Sequence, residues 1–125
     1  MIQETYCSFE VAKLLKEKGF DSRCCAGYTD YGQFFISLIQ EYNKGKLGGC
    51  IAPTHQIAMK WLREIYGIDI VIEISDPSVN DRKYYCVIWD KNNDSHILEL
   101  FDSYEDAVEA ALKYCLKNIK RKYNL

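Results

Sequence analysis

The chain has 125 residues, 48% of them apolar and 27% charged, with a net charge of −2, which fits one soluble-type domain with its own core. Two prolines and seven glycines are too few for a long disordered tract, and no apolar run approaches the ~20 residues that span a membrane. Residues 69–109 carry eleven acids against three bases, an acidic body that disfavours broad nucleic-acid binding.

The first predicted element is a helix over Ser8–Lys18, with Ser8 as its cap and Val11, Leu14 and Leu15 on one face. Gly19 is placed to end it in the left-handed region, and Phe20 to pack back on it. In residues 21–50, Arg23–Tyr28 and Gln33–Ile39 read first as a hairpin around Tyr31-Gly32. A helix over Tyr31–Tyr42 competes, because Phe35, Leu38, Ile39 and Tyr42 also fall at helical spacing. Asn43–Gly49 reads as a glycine-rich basic loop without the spacing of a phosphate-binding loop.

A second helix is predicted over Thr54–Tyr66, with Ile57, Ala58, Trp61, Leu62 and Ile65 as its stripe and Gly67 as its stop. Strand Ile70–Ile74 follows. Strands Tyr84–Trp89 and His96–Phe101 are joined by Asp90–Asp94, a connection so short that they must be antiparallel. Ser103 then caps a final helix whose buried stripe is Val108, Ala111, Leu112, Cys115 and Ile119. Acids enrich its first turns and lysines its last, both in the sense that the helix dipole favours. The expected fold is a single α+β domain over residues 1–125. It has a three-stranded or larger antiparallel sheet packed against helices and ends in a strand–strand–helix unit.

The chemistry is less marked. Met1–Glu4 lacks the basic start of a secretory leader, so a cytoplasmic protein with reduced thiols is expected, with no membrane contact. The six cysteines form no CxxC pair and read as small core hydrophobes. Cys50 and His55 are a candidate nucleophile and base, with Cys7 another cysteine that folding can bring near; neither proximity nor an orienting third group is visible in the sequence. His96 alternates with apolar neighbours and reads as a partly buried, satisfied histidine. Asp90, Asn92 and Asp94 alternate like calcium ligands, but Ser95 and Phe101 stand where that loop needs glycine and glutamate, so a turn is expected. Glu73 and Glu99 read as solvent-facing strand residues. No metal and no cofactor is expected.

Ten tyrosines are an excess, and tyrosine is enriched at interfaces. Tyr84, Tyr85, Trp89, Phe101 and Tyr104 gather around the last hairpin and form a candidate recognition or dimer face. Lys44, Lys46, Lys117, Lys120, Arg121 and Lys122 are candidate anion-binding groups.

Three segments, Tyr6–Phe20, Ala52–Glu64 and Phe101–Leu116, resemble those of a small uncharacterised protein family of gut Bacteroidetes and their phages or prophages. The resemblance spans most of the chain and carries no catalytic assignment. It implies a bacterial or phage accessory protein with a constant scaffold and variation near residues 24–50 and 75–83. The resulting expectation is a non-enzymatic binding or regulatory accessory protein that acts through a protein–protein interface and self-associates as a homo-dimer. One alternative is a small cysteine-dependent hydrolase or transferase using Cys50 and His55. The other is a weak nucleic-acid-binding protein using the basic C-terminal helix.

Overall fold

The computed structural model describes residues 2–41, 49–76, 78 and 80–119. Helix α1 spans Phe9–Glu17, and the Ser8 hydroxyl accepts from the Val11 amide at 3.2 Å. Val11, Ala12 and Leu15 are its buried face. It ends as a Schellman turn: Gly19 has φ +97°, the Phe20 amide donates to the Leu15 carbonyl at 2.9 Å and the Gly19 amide to Lys16 at 3.2 Å. Phe20 is buried, which is the apolar contact such a turn needs.

The middle of the chain is the hairpin, not the helix. Strand β1 (Cys24–Tyr28) pairs antiparallel with β2 (Phe34–Glu41), and with the two-residue β3 (Cys50–Ile51) on its other side. The sheet order is β2-β1-β3. Helical spacing in this segment was therefore outweighed by strand pairing, with the Thr29–Gly32 turn closed by a Gly32-to-Thr29 backbone bond of 2.9 Å. Gly49 leads into β3 with φ +81°, and a Cβ there would lie 1.9 Å from the Tyr28 carbonyl oxygen. Gly49→Ala is therefore expected to lower unfolding free energy by roughly 2–4 kcal/mol, from the left-handed backbone plus the clash. Urea titration would check it; a change within ~0.5 kcal/mol would mean that this turn relaxes freely.

Helix α2 spans His55–Trp61, capped by Thr54, whose hydroxyl accepts from the Ile57 amide at 3.3 Å. It continues as a π-helical turn over Leu62–Tyr66 and stops at Gly67. The second sheet is a meander of β4 (Asp69–Ile74), β5 (Tyr84–Trp89) and β6 (Ser95–Phe101), with β5 central. The α+β fold with a three-stranded antiparallel sheet against helices is as expected, and β1–β3 add a second three-stranded antiparallel sheet because they pair among themselves. Helix α3 (Tyr104–Asn118), capped by Ser103, lies on the inner face of β4–β6 and against α1. This is the strand–strand–helix unit expected from the sequence.

The core joins Leu15, Phe20, Leu62, Leu112 and Leu116 with Cys86 and Ile88 from β5. Lys113 and Lys117 of α3 reach Glu10 of α1 at 2.9 and 3.5 Å, exposed ion pairs that salt would screen. No helix among the described residues is long and apolar enough to cross a membrane.

Candidate functional site

Two features stand out among the described residues: a buried polar cluster and an apolar, partly exposed sheet face. The cluster begins where the N-terminal segment is sewn to the start of α2. The Cys7 amide donates to the Pro53 carbonyl at 2.9 Å, the His55 amide donates to Thr5 at 2.8 Å, and Tyr6 bridges Thr54. These bonds bring Cys7 beside His55, and α3 adds Glu109. His55 Nε2 lies 2.6 Å from Glu109 Oε2, and the same oxygen accepts from the Ser8 amide at 3.2 Å. The side-chain ligand atoms of Cys7, His55 and Glu109 lie within 4.8 Å of one another. The Tyr28 hydroxyl donates to the Cys7 carbonyl at 2.7 Å and closes the site from β1.

The thiol beside this histidine is thus Cys7. Cys50 belongs to a separate apolar cluster with Ala12, Ala26 and Ala52. Burial pushes the Cys7 thiol far above its ordinary range, with the Glu109 charge adding to the effect. Burial also raises the Cys50 thiol. Burial alone would raise the Glu109 carboxyl, but hydrogen bonds from His55 and Ser8 outweigh it and hold Glu109 below the usual carboxylate range. A neutral, fully buried thiol is a poor nucleophile. A groove of about 430 Å³ runs alongside, walled by Tyr6, Phe20, Cys24, Cys25, Pro53 and Trp61, but neither Cys7 nor His55 lines it. The arrangement has the members of a cysteine–histidine–carboxylate triad, with the thiol and the imidazole both buried.

All six cysteines are free thiols, four of them buried and Cys25 exposed. Cys24 is half-buried and pushed to about 11, chiefly by burial. A thiol-reactive probe on the folded protein is expected to label Cys25 at least ~100-fold faster than Cys7 or Cys115. Peptide mapping over time would check the order, and rapid labelling of Cys7 would revive the enzyme reading.

The other expected sites divide differently. His96 is exposed rather than partly buried, and its ring stacks on Tyr114 at 4.3 Å. Asp90 holds a hairpin turn, its carboxylate accepting from the Asn92 and Asp94 amides at 2.8 and 3.1 Å. Glu73 and Glu99 are exposed. Lys117 is engaged with Glu10, whereas Lys44, Lys46, Lys120, Arg121 and Lys122 lie outside the described residues.

The five aromatics expected to form one face are split across the sheet. Tyr84 shares a side with buried Cys86 and Ile88, is paired with Phe101, and meets Tyr104 edge-on at 6.4 Å. Phe101 packs on the core. Tyr85 and Trp89 alternate to the opposite, outer side. There the register lines up Val71, Val87 and Ile97 across all three strands. Their neighbours are Tyr85, Trp89 and, from the irregular register opposite Tyr85, Leu100. Val71 is 39% exposed, Trp89 42%, Ile97 52% and Leu100 58%. A half-solvated antiparallel sheet ordinarily turns polar residues outward. This one turns an apolar row outward, edged by Asp69, Glu73 and Glu99.

No family model, curated protein or solved structure matches the chain.

Proposed function

We propose that this chain is a non-enzymatic binding protein that acts through a protein–protein interface on the outer face of β4–β5–β6, with a second copy of itself on that face. The observation that carries the reading is the apolar Val71–Val87–Ile97 row on the side of the sheet away from α3, in which Val71 and Ile97 are exposed and Val87 is half-buried. A second copy suits it because β5 is the central strand and the row is nearly symmetric about Val87. A two-fold axis along β5 lays Val87 on Val87 and Val71 on Ile97, an isologous contact between two sheets packed face to face. The placing of Cys50 in a different cluster from His55, and the burial of the Cys7 thiol, weigh against the hydrolase or transferase alternative built on Cys50 and His55.

The same axis fixes the sign of the electrostatics. Asp69 comes opposite the partner's Ser95, but Glu73 comes opposite the partner's Glu99. The rim is therefore mildly repulsive, and salt strengthens the dimer instead of weakening it. Light scattering across protein concentration tests the reading. The expected result is a doubled mass at tens of micromolar, reached at lower concentration as salt rises. Glu73→Lys shifts the transition in the same direction. A strict monomer over the whole range would overturn self-association, and a dimer that salt dissolves would overturn this geometry.

A further inference from the structure

The buried cluster has no role in that interface, and its donor set has a chemistry of its own. We propose that Cys7, His55 and Glu109 form a structural zinc site. One thiolate sulfur, one imidazole nitrogen and one carboxylate are donors that zinc accepts together, whereas calcium and magnesium take oxygen ligands. The three side chains come from three separate segments, and their ligand atoms already lie within 4.8 Å of one another. A water on the side of the partly exposed Glu109 would complete the tetrahedral set. With Cys7 and Glu109 anionic and His55 neutral, a divalent ion makes the site neutral overall, the cheapest charge state for a buried group.

The surroundings hold these ligands as an outer shell would. The Ser8 amide orients Glu109, and the Tyr28 hydroxyl fixes the Cys7 backbone. The 2.6 Å separation of His55 Nε2 and Glu109 Oε2 is that of a hydrogen bond. Two ligands of one tetrahedral zinc stand roughly 3.3 Å apart. Binding therefore replaces that hydrogen bond and asks the carboxylate to move by less than about 1 Å, within reach of side-chain rotation. Zinc at Nε2 displaces the proton that this atom donates to Glu109, and a neutral imidazole then carries it on Nδ1 instead. The Cys7 S–H proton goes to solvent as the Zn–S bond forms, so one proton is released per ion.

The test uses the whole chain, stripped with a chelator and titrated with Zn²⁺ or Co²⁺ alone. The proposal expects one ion per chain and a rise in melting temperature of about 5 °C or more. It also expects Co²⁺ spectra with a thiolate charge-transfer band and tetrahedral visible bands. Cys7→Ala should abolish the charge-transfer band and lower affinity at least ~100-fold, and Glu109→Gln, which keeps volume and shape, should lower it ~10- to 100-fold. Binding should persist in Cys25→Ser. No binding by the folded wild-type chain would overturn the site. Binding that survives both Cys7→Ala and Glu109→Gln would overturn it too, by placing the ion elsewhere.

Discussion

Val87→Lys is expected to yield a folded, monomeric protein. Val87 sits at the middle of the outer row, flanked by Val71 and Ile97. In the proposed dimer the substitution sets two ammonium groups against each other on the axis, in the part of the interface most shielded from water. Charge repulsion and desolvation there cost several kcal/mol, so dissociation should be favoured by at least ~100-fold. In the separated chain Val71 and Ile97 on either side are exposed, and the lysine stem lies along these apolar neighbours with its charge in water. Melting temperature of the monomer should therefore change by less than ~3 °C. Sedimentation and far-ultraviolet circular dichroism would read both effects. A lysine variant that stays dimeric would move the interface off this face.

The second large effect lies at the buried cluster. Glu109→Ala leaves His55, 4% exposed, and the Ser8 amide without their shared acceptor. Breaking a buried pair costs up to 3–5 kcal/mol, but Glu109 is partly solvated, so about 2–3 kcal/mol is expected in metal-free protein. For a domain of this size that is a fall in melting temperature of roughly 10 °C. The pH dependence follows from Glu109 standing below its unfolded value. Its contribution is fully present above ~4.3, the unfolded carboxylate value, and is lost as pH falls through the lower folded value. The variant should lack that part of the acid limb.

The alkaline limb has the opposite origin. The Cys115 thiol is pushed to about 12 by burial, and Cys7 is pushed up as well. Unfolded thiols ionise near ~8.5, so stability from these groups is full below that value and declines as pH rises above it. Thermal melts from acid to alkali would show both limbs.

Local signals carried much of the fold. Ser8 and Ser103 each cap the helix that sequence placed after them, Thr54 caps the second helix, which sequence began at that residue, and Gly19 with Phe20 closes α1 as its spacing implied. The β5–β6 hairpin followed from one short turn. What was not legible depended on partners far along the chain. Strand β3 has two residues, too few to show a period, and exists because β1 offers it an edge. The π-helical turn within the second helix has no composition cue in Leu62–Tyr66.

The polar cluster was half legible. His55 was singled out, but with Cys50, the nearer cysteine in sequence. Its partner Glu109 read as an acid favouring the helix start. A better signal was present, since Glu109 precedes Leu112 by three residues and Leu116 by seven, which puts a carboxylate on the edge of a buried stripe. The aromatic face failed for a different reason. Clustering in sequence ignored the two-residue period of strands, which sends Tyr84 inward and Tyr85 and Trp89 outward. Applied to Val71, Val87 and Ile97, that period exposes the apolar row that the tyrosine excess only hinted at.

The most direct test of this face follows the fluorescence of Trp89 in a Trp61→Phe background, alongside mass, through a dilution series. Trp89 is 42% exposed on the outer side of β5 and would be covered by the second copy. The account predicts that its emission shifts to the blue and its quenching by iodide falls as the mass doubles, with one midpoint for all three. A doubled mass with Trp89 emission and quenching unchanged would place the contact elsewhere, and a constant monomer mass would contradict self-association itself.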